Sequence, residues 1–169
     1  MTKRVRRGFT LVEMLVVISI ILLLCALVVV LIKGSIDRSK NAKSKSLIEM
    51  LDKACSDYRV DFGVFPPGPG SQNLHLALGS PRTMVTAHNV SGPNISTLKP
   101  PYIEFRRDML PLTATSTSPT PPQVIVDAWE RDVQYINPGL NNTKAVDIWS
   151  IGKDAADPLD DIANWIRDY

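Results

Sequence analysis

Hydrophobic and polar positions divide this chain into three regimes. From Phe9 through Ile32 almost every residue is apolar, and the only charge is Glu13. Such a run predicts a helix that is greasy on all faces. At about 1.5 Å per residue it is about 36 Å long, against a hydrocarbon core about 30 Å thick. Beyond Ile32 the spacing turns amphipathic. Ile36, Leu47, Leu51, Ala54 or Cys55, Tyr58 and Phe62 recur at threes, fours and their multiples. Lys40, Lys43, Lys45, Glu49, Asp52, Lys53 and Asp57 fill the opposite face. No proline precedes Pro66, and Gly34 is the only glycine between Phe9 and Phe62. The pattern therefore predicts one long helix whose second half needs something to cover its stripe; the other reading is two helices broken at Gly34. Gly63, with Pro66-Pro67-Gly68 beyond it, supplies the stop.

The second regime, residues 67–122, is dominated by Pro, Gly, Ser and Thr, and Pro111–Pro122 is nearly low-complexity. Leu74–Leu78 reads as one short helix, and the rest as an inserted variable loop. Alternation returns at Val124. Val124–Trp129, Val133–Ile136 and Val146–Ser150 read as strands, with a turn at Asn137-Pro138-Gly139. A sheet this small needs a cover, which the amphipathic half of the long helix can supply. The expected class is α+β.

Charge and candidate chemistry narrow the function. The net charge of +2 is small, and the basic residues form no patch interleaved with aromatics, so no nucleic-acid partner is expected. No Ser/His/Asp, Cys/His or phosphate-cradling arrangement is visible, so the chain does not read as an enzyme; a membrane-anchored periplasmic binding module is the rival of another class. His75 and His88 lack metal-ligand spacing and read as exposed loop residues. On one continuous helix Cys25 and Cys55 stand roughly 45 Å apart, far beyond the ~7 Å that a disulfide spans.

Lys3, Arg4, Arg6 and Arg7 precede the apolar run, which sets the N-terminus in the cytoplasm and the bulk of the chain outside. A cleaved secretory signal would have a shorter apolar core and a better site than Lys33-Gly34-Ser35. A plain anchor does not account for Glu13, since a carboxylate at the centre of a membrane helix costs about 2.5–3.5 kcal/mol and needs a partner. Near the C-terminus Asp154, Asp157, Asp160 and Asp161 crowd together. Taken alone they read either as a solvated acidic loop or as a calcium site, without EF-hand spacing.

Arg7-Gly8-Phe9-Thr10-Leu11-Val12-Glu13-Met14 resembles the type IV prepilin signature. That resemblance implies a leader, residues 1–8, cut by a prepilin peptidase between Gly8 and Phe9, with Phe9 then N-methylated. It also gives Glu13 a partner, the new α-amino group of Phe9, four residues away on the same helix face or on a neighbouring subunit. Tyr58–Pro66 resembles the helix-to-loop junction of pseudopilins. Asp127-Ala128-Trp129, Gln134-Tyr135, Pro138-Gly139, Asp147-Ile148-Trp149-Ser150, Gly152, Asp154 and Asp161-Ile162-x-Asn164-Trp165 look like the major pseudopilins of type II secretion. By that resemblance the acidic loop holds calcium through Asp154, Asp161 and the Ile151 carbonyl, with Asp157 and Asp160 as further ligands. Ala155-Ala156 and Pro158 depart from the longer, glycine-rich loop of that family.

The resemblance implies a pilin fold. Its parts are an assembly and transmembrane helix over 9–32, its amphipathic half over 33–63, a variable region over 64–123 and a sheet with the acidic loop over 124–169. It implies an inner-membrane subunit with a periplasmic domain that polymerises into a secretion pseudopilus. The partners implied are other copies, minor pseudopilins, an inner-membrane secretion platform and, before assembly, lipid. A type IV or competence pilin for adhesion, motility or DNA uptake is the nearer alternative. Asn89, Asn94 and Asn141 head N-glycosylation patterns that read as coincidence in a bacterial protein.

Overall fold

The computed structural model describes residues 9–86 and 95–166, with backbone alone for 28–33, 82–86 and 95–97. The leader 1–8, His88, Asn89 and Asn94 with its backbone neighbours lie outside the described residues or side chains. The chain forms two compact units divided between Ser39 and Lys40. Helix α1, Leu11–Phe62, enters both, and it is helical through Gly34 rather than broken there.

In the first unit every described side chain from Phe9 to Leu27 is exposed, as an apolar surface without a protein partner must be. Ser19 Oγ donates to the Leu15 carbonyl one turn back at 2.8 Å, which satisfies that hydroxyl inside the apolar stretch. Among the described residues no helix is long and apolar enough to cross a membrane. The apolar run of the sequence continues through Ile32, whereas described side chains stop at Leu27.

The second unit is built on the α1 stripe. Leu47, Ile48, Leu51, Ala54, Cys55 and Tyr58 are buried. Ile36, expected on that stripe, is exposed and belongs to the first unit. The helix stops at Gly63, whose φ of 73° few other residues accept and whose N–H reaches the Arg59 carbonyl at 2.8 Å. Helix α2, Ser71–Gly79, adds the buried Leu74, Ala77 and Leu78 to the same core. Strand β1, Arg82–Thr86, and strand β2, Ile95–Lys99, form an antiparallel hairpin in the region expected to be loop. Asp61 at the end of α1 accepts from Lys99 Nζ and Tyr102 Oη, and these two bonds hold its carboxyl below the usual range. The β1–β2 hairpin is thereby fastened to the long helix.

Strands β3 (Gln134–Ile136), β4 (Asp147–Ser150) and β5 (Ile162–Ala163) form one antiparallel sheet in that order. Tyr135 pairs with Ile148, and Trp149 with Ala163. The expected strand over Val124–Trp129 reduces to a single bridge between Val126 and Asp132, because a tight turn intervenes. Tyr135 and Ile148 face the helices and are buried with Ile125, Val133 and Val146. Tyr135 Oη donates to the Pro66 carbonyl at 2.6 Å, so the polar tip of this core side chain is satisfied.

His75 corrects the sequence reading: it is buried on α2, not exposed in a loop. Its position follows Ser71 by four residues and precedes Leu78 by three, on the core face of the helix. Nδ1 accepts the Gln123 N–H at 2.9 Å, and the ring meets Phe105 edge-on. This geometry requires a neutral imidazole with an open Nδ1 lone pair. Burial holds its pKa below the ordinary 6.5, partly opposed by the Thr117 backbone. Because the folded value is the lower one, the unfolded chain binds the proton first as the medium acidifies. The contribution is therefore intact above pH 6.5 and is lost as pH falls from 6.5 toward the depressed folded value. Urea midpoints at pH 7.5 and 5.5 should differ in that direction, and His75→Phe should flatten the difference. An equal slope in both proteins rules out His75 as its source.

Candidate functional site: the head of the long helix and the acidic loop

Two sequence expectations converge on the start of α1. Gly8 lies outside the described residues. Phe9 is exposed, and in this uncut chain its nitrogen is an amide rather than an amine. The structure places Glu13 on Thr10. Glu13 Oε2 accepts from the Thr10 N–H at 2.8 Å and from Thr10 Oγ1 at 2.9 Å, and the Glu13 N–H donates to Thr10 Oγ1 at 3.2 Å. This is a reciprocal capping box, in which side chains satisfy backbone donors that the first helical turn leaves unpaired. The Thr-x-x-Glu spacing carried that signal, which the sequence reading passed over in favour of a Phe9 partner. The same carboxylate thus has a partner before any cleavage, and it sits among exposed apolar side chains.

The acidic loop is rooted on both sides. At its start Ser150 Oγ donates to the buried Asp127 carboxylate and accepts the Gly152 N–H at 3.1 Å. Asp127 also accepts the N–H groups of Trp129 and Arg131, at 2.8 and 2.9 Å. At its end Asn164 donates to Asp52 on α1 at 2.7 Å and to the Val146 carbonyl at 2.9 Å, and it accepts the Ile148 N–H at 3.1 Å. One amide therefore ties helix, sheet and loop together.

Within the loop the carboxylates first serve the backbone. Asp154 Oδ1 accepts from Ala156 N–H, and Asp157 Oδ1 from Leu159 N–H, both at 3.0 Å. These are Asx turns. Asp160 reaches back across the loop, Oδ2 taking the Asp154 N–H at 2.8 Å. Its Oδ1 is buried with no hydrogen-bond partner. Gly152 leaves the room for this: at its φ of 60° a Cβ would collide with the Asp160 carbonyl and lie 2.6 Å from Oδ1. Burial, with the nearby charges of Asp160 and Asp157, pushes the Asp161 carboxyl above the usual range. Among the described residues no three acidic, histidine or cysteine side chains stand close enough together to hold a metal ion. The loop does present an unpartnered buried carboxylate oxygen beside mutually repelling acids, and that donor chemistry suits a hard cation. Ile151 is half-buried at the root of the loop.

A second buried carboxylate went unread in the sequence. Asp147, on β4, accepts the N–H groups of Leu140, Asn141 and Asn142 at 2.7, 2.7 and 2.8 Å. It organises the 139–142 turn. A Cβ at Gly139 would come within 2.6 Å of Asp147 Oδ1, so glycine is what lets the turn wrap the carboxylate.

Residues 3–29 match the model of the prokaryotic N-terminal methylation motif, and residues 114–167 match that of type II secretion system protein G. The type II secretion system core protein G of Klebsiella michiganensis is 31% identical over 166 residues, covering 98% of this chain and 96% of that protein. That of Escherichia coli is 31% identical over 161 residues, covering 95% and 91%. That of Pectobacterium carotovorum is 30% identical over 164 residues, covering 96% and 86%. Among solved structures, the major pseudopilin from the type 2 secretion system of enterohaemorrhagic Escherichia coli is similar at 24% identity and a TM-score of 0.44, over 78% of this chain and 87% of that one.

Proposed function

The chain belongs to the type II secretion system core protein G family, and from that membership we propose that it is the structural subunit of a secretion pseudopilus, not an enzyme. The observation that carries the proposal is identity of 30–31% running nearly end to end with relatives of that name. The N-terminal methylation motif covers the head of the apolar run. A motility, adhesion or DNA-uptake pilus finds no comparable support.

In this reading Phe9–Ile32 anchors the new subunit in the inner membrane, N-terminus inside and the α+β unit in the periplasm. The hydropathy of the whole run and the four basic residues before it support that topology. A prepilin peptidase cuts between Gly8 and Phe9, and Phe9 is methylated. Subunits then leave the lipid and stack α1 on α1, joined by minor pseudopilins above the inner-membrane platform. Glu13 pairs with the Phe9 amine of a neighbour and penalises every register that leaves either charge unpaired. Mass spectrometry of the native N-terminus tests this. A mature chain beginning at N-methylated Phe9 is expected, and one that keeps residues 1–8 or lacks the apolar run sinks the reading.

Calcium belongs to the same proposal. Ile151, Asp154, Asp157, Asp160 and Asp161, whose side chains do not stand together as a metal cluster in this structure, would have to draw in around it. The ion would supply the positive charge that the unpartnered Asp160 oxygen and the crowded Asp161 carboxyl call for, and its binding energy would become folding energy of the loop. Chelation of the full-length chain in detergent should lower its melting temperature by several degrees, and Asp160→Asn should remove that response. An unchanged melting temperature removes the cation and leaves the filament.

A further inference from the structure

The Pro-, Ser- and Thr-rich segment 111–123 is fastened at its two ends and carries little between them. At one end Arg107 donates through Nη1 to the Ala114 carbonyl and through Nη2 to the Leu112 carbonyl, the latter at 3.1 Å. At the other, two α2 side chains one turn apart accept backbone N–H groups. His75 Nδ1 takes that of Gln123 at 2.9 Å, and Ser71 Oγ takes that of Ile125 at 3.1 Å. From 115 to 122 every residue except half-buried Pro119 is exposed. Pro119 rests at the end of α2, where a Cβ on Gly79 would come 3.3 Å from its own Cβ. A stretch with so few buried apolar contacts opens at a free energy set by its end contacts.

One of those contacts titrates. Because Nδ1 accepts, the proton of the neutral ring sits on Nε2, which is buried without a hydrogen-bond partner. The Thr117 backbone lies near enough to favour a protonated ring but outside hydrogen-bonding geometry. An orphaned buried donor is a cost that phenylalanine at this place would not carry. What histidine adds is a site for a second proton. That proton turns Nδ1 from acceptor to donor and sets it against the Gln123 N–H. Among the described residues no carboxylate is bonded to the ring to compensate. Helix α2 and the segment 111–123 carry no charged residue. Around Phe105, whose ring meets the imidazole edge-on, Glu104, Arg106 and Asp108 are exposed, and Arg106 pairs with Asp108. Arg107 brings only positive charge. In the core that α2 shares, burial raises the pKa of Cys55 and Tyr135, so both stay neutral.

We propose that 115–123 is a strap latched by His75, released from α2 when the imidazole takes up a proton while the core beneath stays folded. Release opens the buried His75 side of α2, with Phe105, to water. The device does not depend on the filament reading, and it makes the second unit respond to mild acid. An open strap leaves His75 to titrate near its ordinary 6.5, whereas the closed ring resists the proton. Between pH 7.5 and 5.5 the open population should therefore rise by up to about tenfold.

Hydrogen exchange of the full-length chain in detergent, corrected for its intrinsic pH dependence, reads this at the Gln123 amide. Protection there should fall by up to about tenfold from pH 7.5 to 5.5. It should also be insensitive to low urea, since a local opening exposes little surface. The amides of Leu51 and Cys55, buried on α1, should respond to urea steeply. His75→Phe lacks the acceptor and should leave Gln123 unprotected at both pH values. The comparison of amides in the unaltered chain stands even where that variant does not fold. Protection of Gln123 that is unchanged at pH 5.5 overturns the latch. A urea dependence at Gln123 as steep as that at Leu51 means that acid acts on the whole fold, and it overturns the strap.

Discussion

Glu13→Ala should leave a subunit that is made, inserted and cut, and should abolish the filament. Losing the capping box costs the helix only about 1 kcal/mol, too little to unwind α1. The larger loss comes at assembly, where the amine of Phe9 would enter an apolar bundle without its counter-charge. Removing one member of a buried pair costs roughly 3–5 kcal/mol, or about two to four orders of magnitude in association for each subunit added. Glu13→Gln separates the two roles. Its side-chain oxygen can still accept from Thr10, so the cap survives while the charge does not. Both variants should resist alkaline extraction from membranes and both should be missing from the sheared or pelleted filament fraction. Normal filaments from Glu13→Gln would falsify the charge-pair role and leave capping as the whole function of this residue.

Asp147→Ala should be the most damaging change in the globular unit. Its carboxylate is buried and is the acceptor for three successive backbone N–H groups. Each buried donor left without an acceptor costs about 1–3 kcal/mol. The costs do not add fully, because a collapsed turn lets water reach some of the donors, so the expected loss is roughly 3–5 kcal/mol. A domain of this kind has about 5–15 kcal/mol in total. Urea unfolding should show a midpoint shifted far down, and limited proteolysis should cut near residues 139–142. Asp147→Asn keeps one acceptor oxygen but points an amide at the same N–H groups, so it should fall between. A wild-type midpoint for Asp147→Ala means that the turn holds without its carboxylate, contrary to this account.

The parts of the fold that depend on composition and period were legible from sequence. The apolar run, the amphipathic stripe from Leu47 to Tyr58, the stop at Gly63 and the strands around Tyr135 and Ile148 all follow from where apolar side chains recur. Ile36 fits the same period yet is exposed, because a period says which face a residue shares and not whether anything covers it. His75 had its own signal, four residues after Ser71 and three before Leu78, but its polarity outweighed its position. The β1–β2 hairpin was hidden by composition. Met84-Val85-Thr86 and Ile95-Ser96-Thr97-Leu98 carry strand-forming residues on either side of Ser91-Gly92-Pro93, within a stretch otherwise rich in Ser and Thr.

The site was legible in a different way. Glu13 stood out because a charge in an apolar run is costly, and its capping role could have been read from Thr10. The roles of Asp127 and Asp147 could not be read, since an aspartate cradled by backbone N–H groups looks like any other aspartate until the turn around it is known. The acidic loop falls between these cases. Its crowding is visible in sequence, whereas the single unpartnered oxygen on Asp160 depends on how the loop folds back on Gly152.

That fold-back has a practical consequence. The chain closes on itself where Gly152 meets Asp160, leaving 153–159 as a handle whose root is sterically sealed, with Leu159 beside that root 92% exposed. Any side chain larger than hydrogen at position 152 should therefore pry the handle open.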